Sequence, residues 1–375
     1  CDSGTAPHAG VGLNMAGRRK QRRRPRSAIV EVANALLGLL VLGLLVVAGL
    51  LYWGAQQFYG PGPLEKETTF LVERNSGLGS VATRLAEQGL INEAAPLGGR
   101  LVFQLGTFAL KKQGQIKAGE FHIPAGASMA DILREITEGR PIQYAVTIPE
   151  GYTAWQVINR LNEDNALTGE ITQLPPEGSI LPQTYSYERG DTRASVLQRM
   201  QADQERVLAE IWAACDPDVC GPDGVLKTPA ELVTLASIVE KETGVASERD
   251  RVAAVFLNRL KRGMRLQSDP TTIYGITKGQ GALGRGLRRS EIEAVTDYNT
   301  YQIDGLPKGP IANPGRQAME AVAHPAKTSD LYFVAAGPVP SDGHLFASTY
   351  AEHQRNVAKW RQVEREMANA AAQAE

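Results

Sequence analysis

The chain has 375 residues, with 40 Lys plus Arg against 41 Asp plus Glu, a formal net charge of −1 and 43% hydrophobic residues. This balance excludes wholesale disorder, a collagen-like repeat and a disulfide-dense miniprotein, and the length predicts two or three domains. The average hides a division, because residues 1–27 carry seven cations and one acidic residue, which leaves a net charge of +6 there and −7 in the remainder.

An apolar segment follows the basic run. Residues 35–53 read ALLGLLVLGLLVVAGLLYW, nineteen residues without a charge that end in an aromatic pair. A helix of this length approaches the thickness of the hydrocarbon core of a membrane, so the segment predicts a single span. A cleaved signal peptide is disfavoured, because the apolar stretch is long and no A-x-A site follows it.

The position of the arginines predicts orientation. Cations flanking a span mark the cytoplasmic side, so residues 1–34 are predicted to be cytoplasmic and the chain after the span to lie outside the inner membrane. This explanation is preferred to nucleic-acid binding, which is not predicted. Met15, just before the basic run, is a candidate start of the natural chain.

Cysteine usage is compatible with export. Cys215 and Cys220 lie in the turn-rich stretch CDPDVCGPDG, where a small-loop disulfide can form in an oxidising compartment. A zinc site is disfavoured because a C-x4-C pair without a nearby His lacks half of its ligands. No cofactor and no metal are predicted.

A linker, residues 54–67 with Gly-Pro-Gly-Pro at 60–63, precedes a weak internal repeat. Each copy reads as a short strand, a turn, a helix cap and apolar positions at helical spacing, with Ser128 and Thr153 as the caps of two copies. The third copy is degenerate and has Asn75 at the turn where the others have Gly. Such short units resemble LysM modules, which would make residues 68–167 a glycan-binding region. The alternative is a set of small packing units without a ligand. The copies span 70–85, 121–136 and 146–161.

The predicted catalytic region, residues 168–350, is helical at its centre. A long amphipathic helix is predicted over 194–214 and another over 251–262. Between them, Thr228 is a natural N-cap for a helix that begins at Pro229. A C-terminal helix and tail, residues 351–375, offers no predicted site. The predicted fold class is therefore α+β, with one N-terminal transmembrane helix, a LysM-like α+β subdomain and a mixed α+β catalytic domain.

Glu240 is the candidate catalytic residue. It follows Val233, Ala236 and Ser237 at helical spacing, so it lies at the edge of the buried stripe. A half-sheltered carboxyl has a raised pKa, as a general acid near neutral pH requires. Glu242 is predicted to be a solvated helix charge. Downstream loops rich in Asn, Gln, Thr and Tyr suit a carbohydrate, because amides and hydroxyls bond to sugar hydroxyls.

Several long motifs in one order resemble the endolytic murein transglycosylases, the YceG-like family. They are LASIVEKETGVASER at 235–249, VFLNRL at 255–260, GMRLQSDPT at 263–271, YNTY at 298–301, GLPKGPIANPG at 305–315 and HPAKT at 324–328. The resemblance implies cleavage of the β-1,4 bond between MurNAc and GlcNAc in nascent glycan strands, leaving 1,6-anhydro-MurNAc ends. It also implies peptidoglycan as substrate and the cell-wall synthesis machinery as partner.

The family's catalytic glutamate falls on Glu240. That residue would first protonate the leaving glycosidic oxygen and then accept the proton of the MurNAc 6-hydroxyl, so one carboxyl would serve both steps. Asp269 is left open between stabilising positive charge on the sugar and ordering its loop. In the family pattern EG-x-L-x-P-D-T-Y, Gln183 replaces the acidic residue, which puts a charged role there in doubt. The other positions that resemble cleft-lining segments are predicted to place the glycan: Asn258, Gln267, Asp269, Tyr274, Asn299, Thr300 and Tyr301.

Two further hypotheses come from other function classes. Ser237 and Lys241, four residues apart on a helix, could form a Ser–Lys pair that hydrolyses peptide cross-links, although no oxyanion-hole motif accompanies them. The second is a non-catalytic, membrane-anchored scaffold that binds the cell wall.

Overall fold

The computed structural model describes residues 28–94 and 97–374, with side chains described up to residue 369. The basic segment and Met15 therefore lie outside the described residues. Within them, one helix is long and apolar enough to cross a membrane, α1 (Ala28–Tyr59). The apolar window of α1 is not buried in the protein.

Helix α1 extends beyond the predicted span, residues 35–53, at both ends. Its last turns have a second environment, because Phe58 is buried at 4% exposure in the core of the next module. The helix therefore continues past the expected end of the hydrocarbon layer and becomes part of the folded protein. It ends at the Gly60-Pro61 sequence, where the Gly60 amide donates a hydrogen bond to the Gln56 carbonyl.

The first module follows α1. Strands β1 and β2 are antiparallel, with Thr68 opposite Ile123. Phe70, Phe103 and Phe121 are fully buried at its centre. The elements of this module are β1 (Thr68–Val72), α2 (Leu78–Glu87), α3 (Gly99–Ala109), β2 (Gly119–Ile123) and α4 (Met129–Glu138).

The second module has its own two-stranded antiparallel sheet and its own core. Strand β3 pairs with β4, with Val146 opposite Tyr185. Its elements are β3 (Gln143–Thr147), α5 (Ala154–Asn162), β4 (Thr184–Glu188) and α6 (Arg193–Ala214). This core joins residues on both sides of the predicted boundary between 167 and 168, for example Val146 and Met200. The strand pairing thus groups the repeat copy at 146–161 with later residues, and the domain division stays a prediction.

The three strand–turn–helix units of the repeat are confirmed. Ser128 and Thr153 are N-caps, and each forms a capping box with the residue three positions later. Asn75 has a φ of 62°, close to the 68° of Gly126 and the 76° of Gly151. Asn tolerates the left-handed region better than other side chains, which explains why it can replace Gly at this turn.

The third module is mainly helical and contains the largest core. The elements are α7 (Pro229–Glu242), α8 (Arg249–Lys261), α9 (Asp269–Thr277), α10 (Arg289–Glu293), α11 (Arg316–Ala323), β5 (Tyr332–Ala335), β6 (His344–Ala347) and α12 (Tyr350–Ala374). Strands β5 and β6 form a third antiparallel pair. Cys215 and Cys220 are joined by a disulfide, which closes the loop between α6 and α7. The mixed α+β class and the central helices are confirmed.

Candidate active site

Helix α7 is buried along most of its length and carries the candidate catalytic residue in its last turn. Thr228 caps the helix, because its side chain accepts a hydrogen bond from the Glu231 amide, and Pro229 occupies the first turn. All residues from Leu232 to Val239 are buried. Glu240 follows in the last turn and is half-buried. Because the preceding residues of α7 are fixed in the core, the direction in which the Glu240 side chain points is fixed as well.

The Glu240 carboxyl is held by one oxygen. The amide of Gly315 donates a 2.9 Å hydrogen bond to Oε2. Burial raises the pKa of Glu240 above its ordinary value; the Gly315 amide opposes the shift, the charge of Glu150 adds to it, and Arg249 and Lys241 oppose it more weakly. The net direction favours the protonated form, which is the form that a general acid needs.

Two loops meet over Glu240 and fix each other through backbone hydrogen bonds. The Gly151 amide donates to the Asn313 carbonyl at 3.0 Å, and the Asn313 amide donates to the Tyr152 carbonyl at 2.9 Å. Gly151 has a positive φ, and a Cβ there would lie 3.5 Å from Cγ of Glu240 and Cδ of Lys241. The conformation favours glycine, and the backbone thereby approaches the carboxyl closely.

The Asn313 side chain ties a third segment to these loops. It is fully buried, its Nδ2 donates to the Tyr152 carbonyl at 2.9 Å and to Oε1 of Glu177 at 3.2 Å, and its Oδ1 accepts from the Ile180 amide at 3.0 Å. Glu177 also accepts hydrogen bonds from the Ala154 amide and the Tyr274 hydroxyl. Burial raises the pKa of Glu177. Its hydrogen bonds give this carboxyl a structural role.

Glu150 is a second carboxyl beside Glu240. A Cβ built on Gly315 would lie only 1.9 Å from Oε1 of Glu150, so the Glu150 side chain lies directly against the Cα of Gly315. Gly315 is thus the point where Glu150 packs on one side and Glu240 accepts an amide hydrogen bond on the other. Glu150 was not among the predicted site residues, and the fold brings it beside Glu240 from a distant loop.

The prediction that Glu242 is a solvated helix charge is wrong. Burial raises the pKa of Glu242 to about 7, while a 2.5 Å hydrogen bond from Oγ of Ser268 opposes the shift. Ser268 belongs to the loop that precedes α9. Residues two apart on a helix point about 200° apart, so Glu240 and Glu242 face different neighbours. The loop 263–268 covers the face that was expected to meet solvent.

Several predicted substrate-binding residues gather on the Glu242 side of α7. The Tyr301 hydroxyl donates to Asp269 at 2.6 Å, and the Thr300 hydroxyl accepts from the Ser268 amide at 2.9 Å. The backbone of Gln267 bonds to the Thr300 carbonyl, and its side chain is exposed. Thr300 is fully buried, so it holds this loop pair together. Direct contact of these residues with a glycan stays a prediction.

Asn299 and Asn258 have hydrogen-bond partners within the protein. Asn299 is fully buried and donates to the carbonyls of Glu291, Ile292 and Ala294. Asn258 donates to the carbonyls of Thr328 and Asp330, at 2.9 and 3.0 Å, and so joins α8 to the segment before β5. These contacts give both amides a role in loop positioning.

Tyr274 lines a cavity of about 290 Å³ whose wall also includes Lys241, the residue after Glu240. Thr153, Gln156 and Leu283 also line this cavity. The ring of Tyr274 lies 5.0 Å from that of Tyr298, and its hydroxyl bonds to Glu177. A wall of this kind offers an aromatic face, hydroxyls and an amide, the groups that suit a sugar ring.

The contributions of Glu150, Gly151, Arg249, Asn313 and Gly315 were not predicted individually. Arg249 is 8% exposed, and its Nη1 donates to Oε1 of Gln317 at 2.7 Å. The motifs IPEGY and IANPG contain Glu150 and Gly315, but their meeting requires contact between loops more than 160 residues apart. Within the sequence of each motif, only the Pro and Gly residues indicated that a turn would form there.

A family model described as the YceG-like family matches residues 70–359, more than three quarters of the chain. The chain belongs to the YceG-like family. The match runs from strand β1 into helix α12, so all three modules are part of the YceG-like region, and the whole of α1 lies before it.

Two curated relatives from different bacteria carry the same name. A protein from Streptococcus pneumoniae serotype 2, named endolytic murein transglycosylase, is 28% identical over 342 residues, covering 79% of this chain and 58% of that protein. A protein of the same name from Bacillus subtilis strain 168 is 28% identical over 335 residues, covering 80% of this chain and 87% of that protein. The chain thus spans about three fifths of the length of the streptococcal relative.

A solved structure of a yceG-like protein from Listeria monocytogenes is similar to this chain at 24% sequence identity, with a TM-score of 0.47. The similarity covers 77% of this chain and 98% of that one. The family assignment of the present chain depends on the family model and is independent of this similarity.

Proposed function

We propose that this YceG-like chain is a membrane-anchored endolytic lytic transglycosylase. It would cleave the MurNAc-β-1,4-GlcNAc bond of nascent peptidoglycan strands and leave 1,6-anhydro-MurNAc ends. The proposal is supported by the family and by the names of the relatives. The observation that carries the mechanism is the Glu240 carboxyl, half-buried with a raised pKa and held through one oxygen by the Gly315 amide.

The chemistry needs an acid that becomes a base. Protonated Glu240 gives its proton to the glycosidic oxygen as the bond from that oxygen to C1 of MurNAc breaks. The resulting carboxylate takes the proton of the MurNAc 6-hydroxyl, whose oxygen then closes on C1. No water is consumed, and Glu240 ends the cycle protonated, as it began.

The surroundings of Glu240 suit both states. Burial and the nearby Glu150 favour the protonated form at the start of the reaction. The Gly315 amide and the Arg249 guanidinium stabilise the carboxylate that exists between the two proton transfers. A carboxyl with opposing influences of this kind is suited to give up a proton and then take one back.

The Ser237–Lys241 hypothesis is disfavoured by the geometry. Ser237 is fully buried; its hydroxyl donates to the Thr234 carbonyl at 2.7 Å and accepts from the Ile311 amide at 3.0 Å. The ammonium of Lys241 lies 3.4 Å from the Gly151 carbonyl. The hydroxyl therefore serves to join α7 to the 311–315 loop.

The test is a digest of purified peptidoglycan by the full chain, with the products identified by mass spectrometry. Anhydro-ended fragments are expected from the unaltered protein and none from Glu240→Gln, because the amide cannot protonate the leaving oxygen. Glu205→Gln, the same change on the exposed face of α6, is the matched control and should remain active. Reducing ends, freed peptide cross-links, or full activity of Glu240→Gln would each overturn the assignment.

The membrane placement is part of the same proposal. We expect α1 to span the inner membrane once, with the N-terminus cytoplasmic and the modules periplasmic, and residues 68–167 to bind glycan in a LysM-like manner. A periplasm-specific reporter fused after residue 375 should be active. Activity of a cytoplasm-specific reporter at that position would contradict the orientation. Association with the cell-wall synthesis machinery is proposed from family resemblance.

A further inference from the structure

Helix α3 has an exposed apolar face that the proposed catalysis does not use. Leu101, Leu105 and Phe108 lie four and three residues apart, so they form one stripe, and each is strongly exposed. The opposite face of α3 packs in the core of the first module, where Phe103 is fully buried. Helix α3 buries one apolar face in the core and exposes another, and an exposed apolar face of this kind indicates contact with a membrane or another protein.

The exposed face of α3 is continuous with α1. A groove of about 450 Å³ runs between the two helices, and it is lined by Val47, Leu50 and Leu51 of α1 and by Leu105 and Leu110 of the α3 region. The helices approach closely at Gly106, where an added Cβ would lie 2.3 Å from the Phe58 ring. Glycine therefore permits this packing, and Phe58 fixes α1 to the first module.

The position along α1 shows how deep this groove lies. Val47, Leu50 and Leu51 belong to the segment 35–53 expected to cross the hydrocarbon core. At about 1.5 Å per residue, Val47 lies roughly 9 Å inside the end of that segment at Trp53. A helix that shares a groove with these residues must itself reach the boundary between headgroups and acyl chains.

We propose that α3 lies in the outer interface of the membrane, with Leu101, Leu105 and Phe108 among lipid acyl chains. A lipid chain would also cover the groove beside Leu51. Amphipathic helices bind to this boundary by burying an apolar face. Lys111, exposed just after the helix, would lie at the level of lipid headgroups. The inference uses the proposed membrane placement of α1 and is independent of the catalytic assignment.

A lipid is favoured over a protein as the occupant. The apolar surface of α3 continues without a break into α1, whose leucines are themselves exposed, for example Leu51 at 69%. Any membrane that surrounds α1 at this depth therefore reaches α3 as well. A protein partner would have to displace lipid from both helices to cover the same face.

The experiment uses the full chain in phospholipid vesicles with one environment-sensitive fluorophore, such as NBD, on a single introduced cysteine. The background is Cys1→Ser, because Cys215 and Cys220 are paired. Leu105→Cys probes α3. Leu174→Cys is the matched control, since Leu174 is 53% exposed against 54% for Leu105 and lies in the second module. Leu45→Cys tests the placement of α1 itself.

We expect blue-shifted emission and quenching by nitroxide-labelled lipid for the probes at 45 and 105, and water-like, unquenched emission at 174. A water-like probe at 105 beside a lipid-quenched probe at 45 would overturn the inference while leaving the anchor intact. A blue shift at 105 without lipid quenching would mean that protein covers α3, which also overturns it. A water-like probe at 45 would reject the membrane placement of α1, and the inference with it.

Discussion

The last turn of α7 holds two carboxyl groups in different surroundings. On one side, Glu240 meets the loops 149–152 and 311–315, where it accepts a backbone hydrogen bond from Gly315 and has Glu150 as a neighbour. On the other side, Glu242 meets the loop 263–268, where a serine hydroxyl donates to it. Both pKa values are raised, and burial is the largest cause in each case. A raised pKa alone therefore does not identify a catalytic acid.

The surroundings of Glu240 and Glu242 differ in how well they suit proton transfer. The Glu240 carboxyl accepts a hydrogen bond from a backbone amide, and charges of both signs act on it, from Glu150 and Arg249. Charges of both signs also act on Glu242, from Asp269 and Arg259, so the charged neighbours alone do not separate the two carboxyls. Glu242 is covered by the loop that carries Ser268, and its hydrogen bond joins two elements of the core. The first arrangement favours chemistry, and the second favours structure.

The largest expected effect separates the two carboxyls directly. Glu240→Gln should reduce the rate of glycan cleavage by at least about 10²-fold, because positioned general acids contribute that much or more. Glu242→Gln should reduce it by less than about tenfold, since the amide oxygen can still accept the Ser268 hydrogen bond. Release of anhydro-ended fragments over time measures both. The opposite ranking of the variants would transfer the catalytic role to Glu242.

This pair also shows what the sequence could and could not predict. Helical spacing and the cap at Thr228 correctly predicted α7, its buried stripe and the half-sheltered position of Glu240. The same spacing placed Glu242 in solvent, because the helical pattern of α7 cannot reveal a loop packed against that face from 26 residues downstream. The approach of Glu150 and Gly315 was equally invisible, since it depends on contact between two modules.

The internal repeat also shows which features can be predicted from a short stretch of sequence. The strand–turn–helix units and the caps at Ser128 and Thr153 depend on residues within one unit, and they were predicted. The sequence also placed Asn75 at a turn, and the structure adds that this residue is left-handed. The pairing of β3 with β4, rather than with a strand of the first module, depends on how cores divide between modules. Such division is set by the burial of side chains such as Val146 and Met200 together, which no short segment encodes.

The second prediction concerns stability against pH and tests the burial of Glu242. Its pKa is about 7 in the folded protein and 4.5 in its ordinary state, so the folded protein binds more protons between these values. Stability should therefore fall as pH rises from about 4.5 to 7 and change little from this group above 7. Glu242→Gln should remove that fall, gaining at most about 3 kcal/mol on the unaltered protein between pH 5 and 8.

Thermal unfolding of the full chain in detergent at pH 5 and pH 8 measures this difference. Glu205→Gln, on the exposed face of α6, is the control and should leave the dependence on pH unchanged. Equal pH dependence of the Glu242→Gln variant and the unaltered protein would mean that Glu242 is solvated, as its sequence position first indicated.

A third prediction tests the crowding at Gly315. In Gly315→Ala, the new Cβ would overlap the Glu150 side chain, with 1.9 Å to Oε1 and 2.8 Å to Cγ. Overpacking typically costs about 1–3 kcal/mol, and we expect the lower end because Glu150 is exposed and can rotate away. The double variant Gly315→Ala with Glu150→Ala should recover the lost stability. Failure of the recovery would show that the cost lies elsewhere in the loop 311–315.

The smallest predicted effect concerns the field at Glu240. The groups that shift its pKa electrostatically are Glu150 from the loop after β3, Lys241 from α7 and Arg249 from α8. Activity should decline as pH rises through the pKa of the catalytic acid, which gives the alkaline limb of the kcat/KM profile. Glu150→Gln removes a negative charge, lowers that pKa and should move the limb to lower pH. Arg249→Gln removes a positive charge and should move the limb to higher pH.

Each shift should be on the order of half a pH unit or less. Glu150 is exposed and its charge acts through solvent, and Arg249 affects the pKa of Glu240 less than Glu150 does. Arg249→Lys keeps the charge and is the control, so its limb should stay near that of the unaltered protein. Shifts of opposite sign in the Glu150 and Arg249 variants are a signature that loss of folding cannot imitate. An unmoved limb in both would mean that the titrating acid is not Glu240, and the same profiles repeated with Glu242→Gln would then show whether the second carboxyl of α7 is responsible.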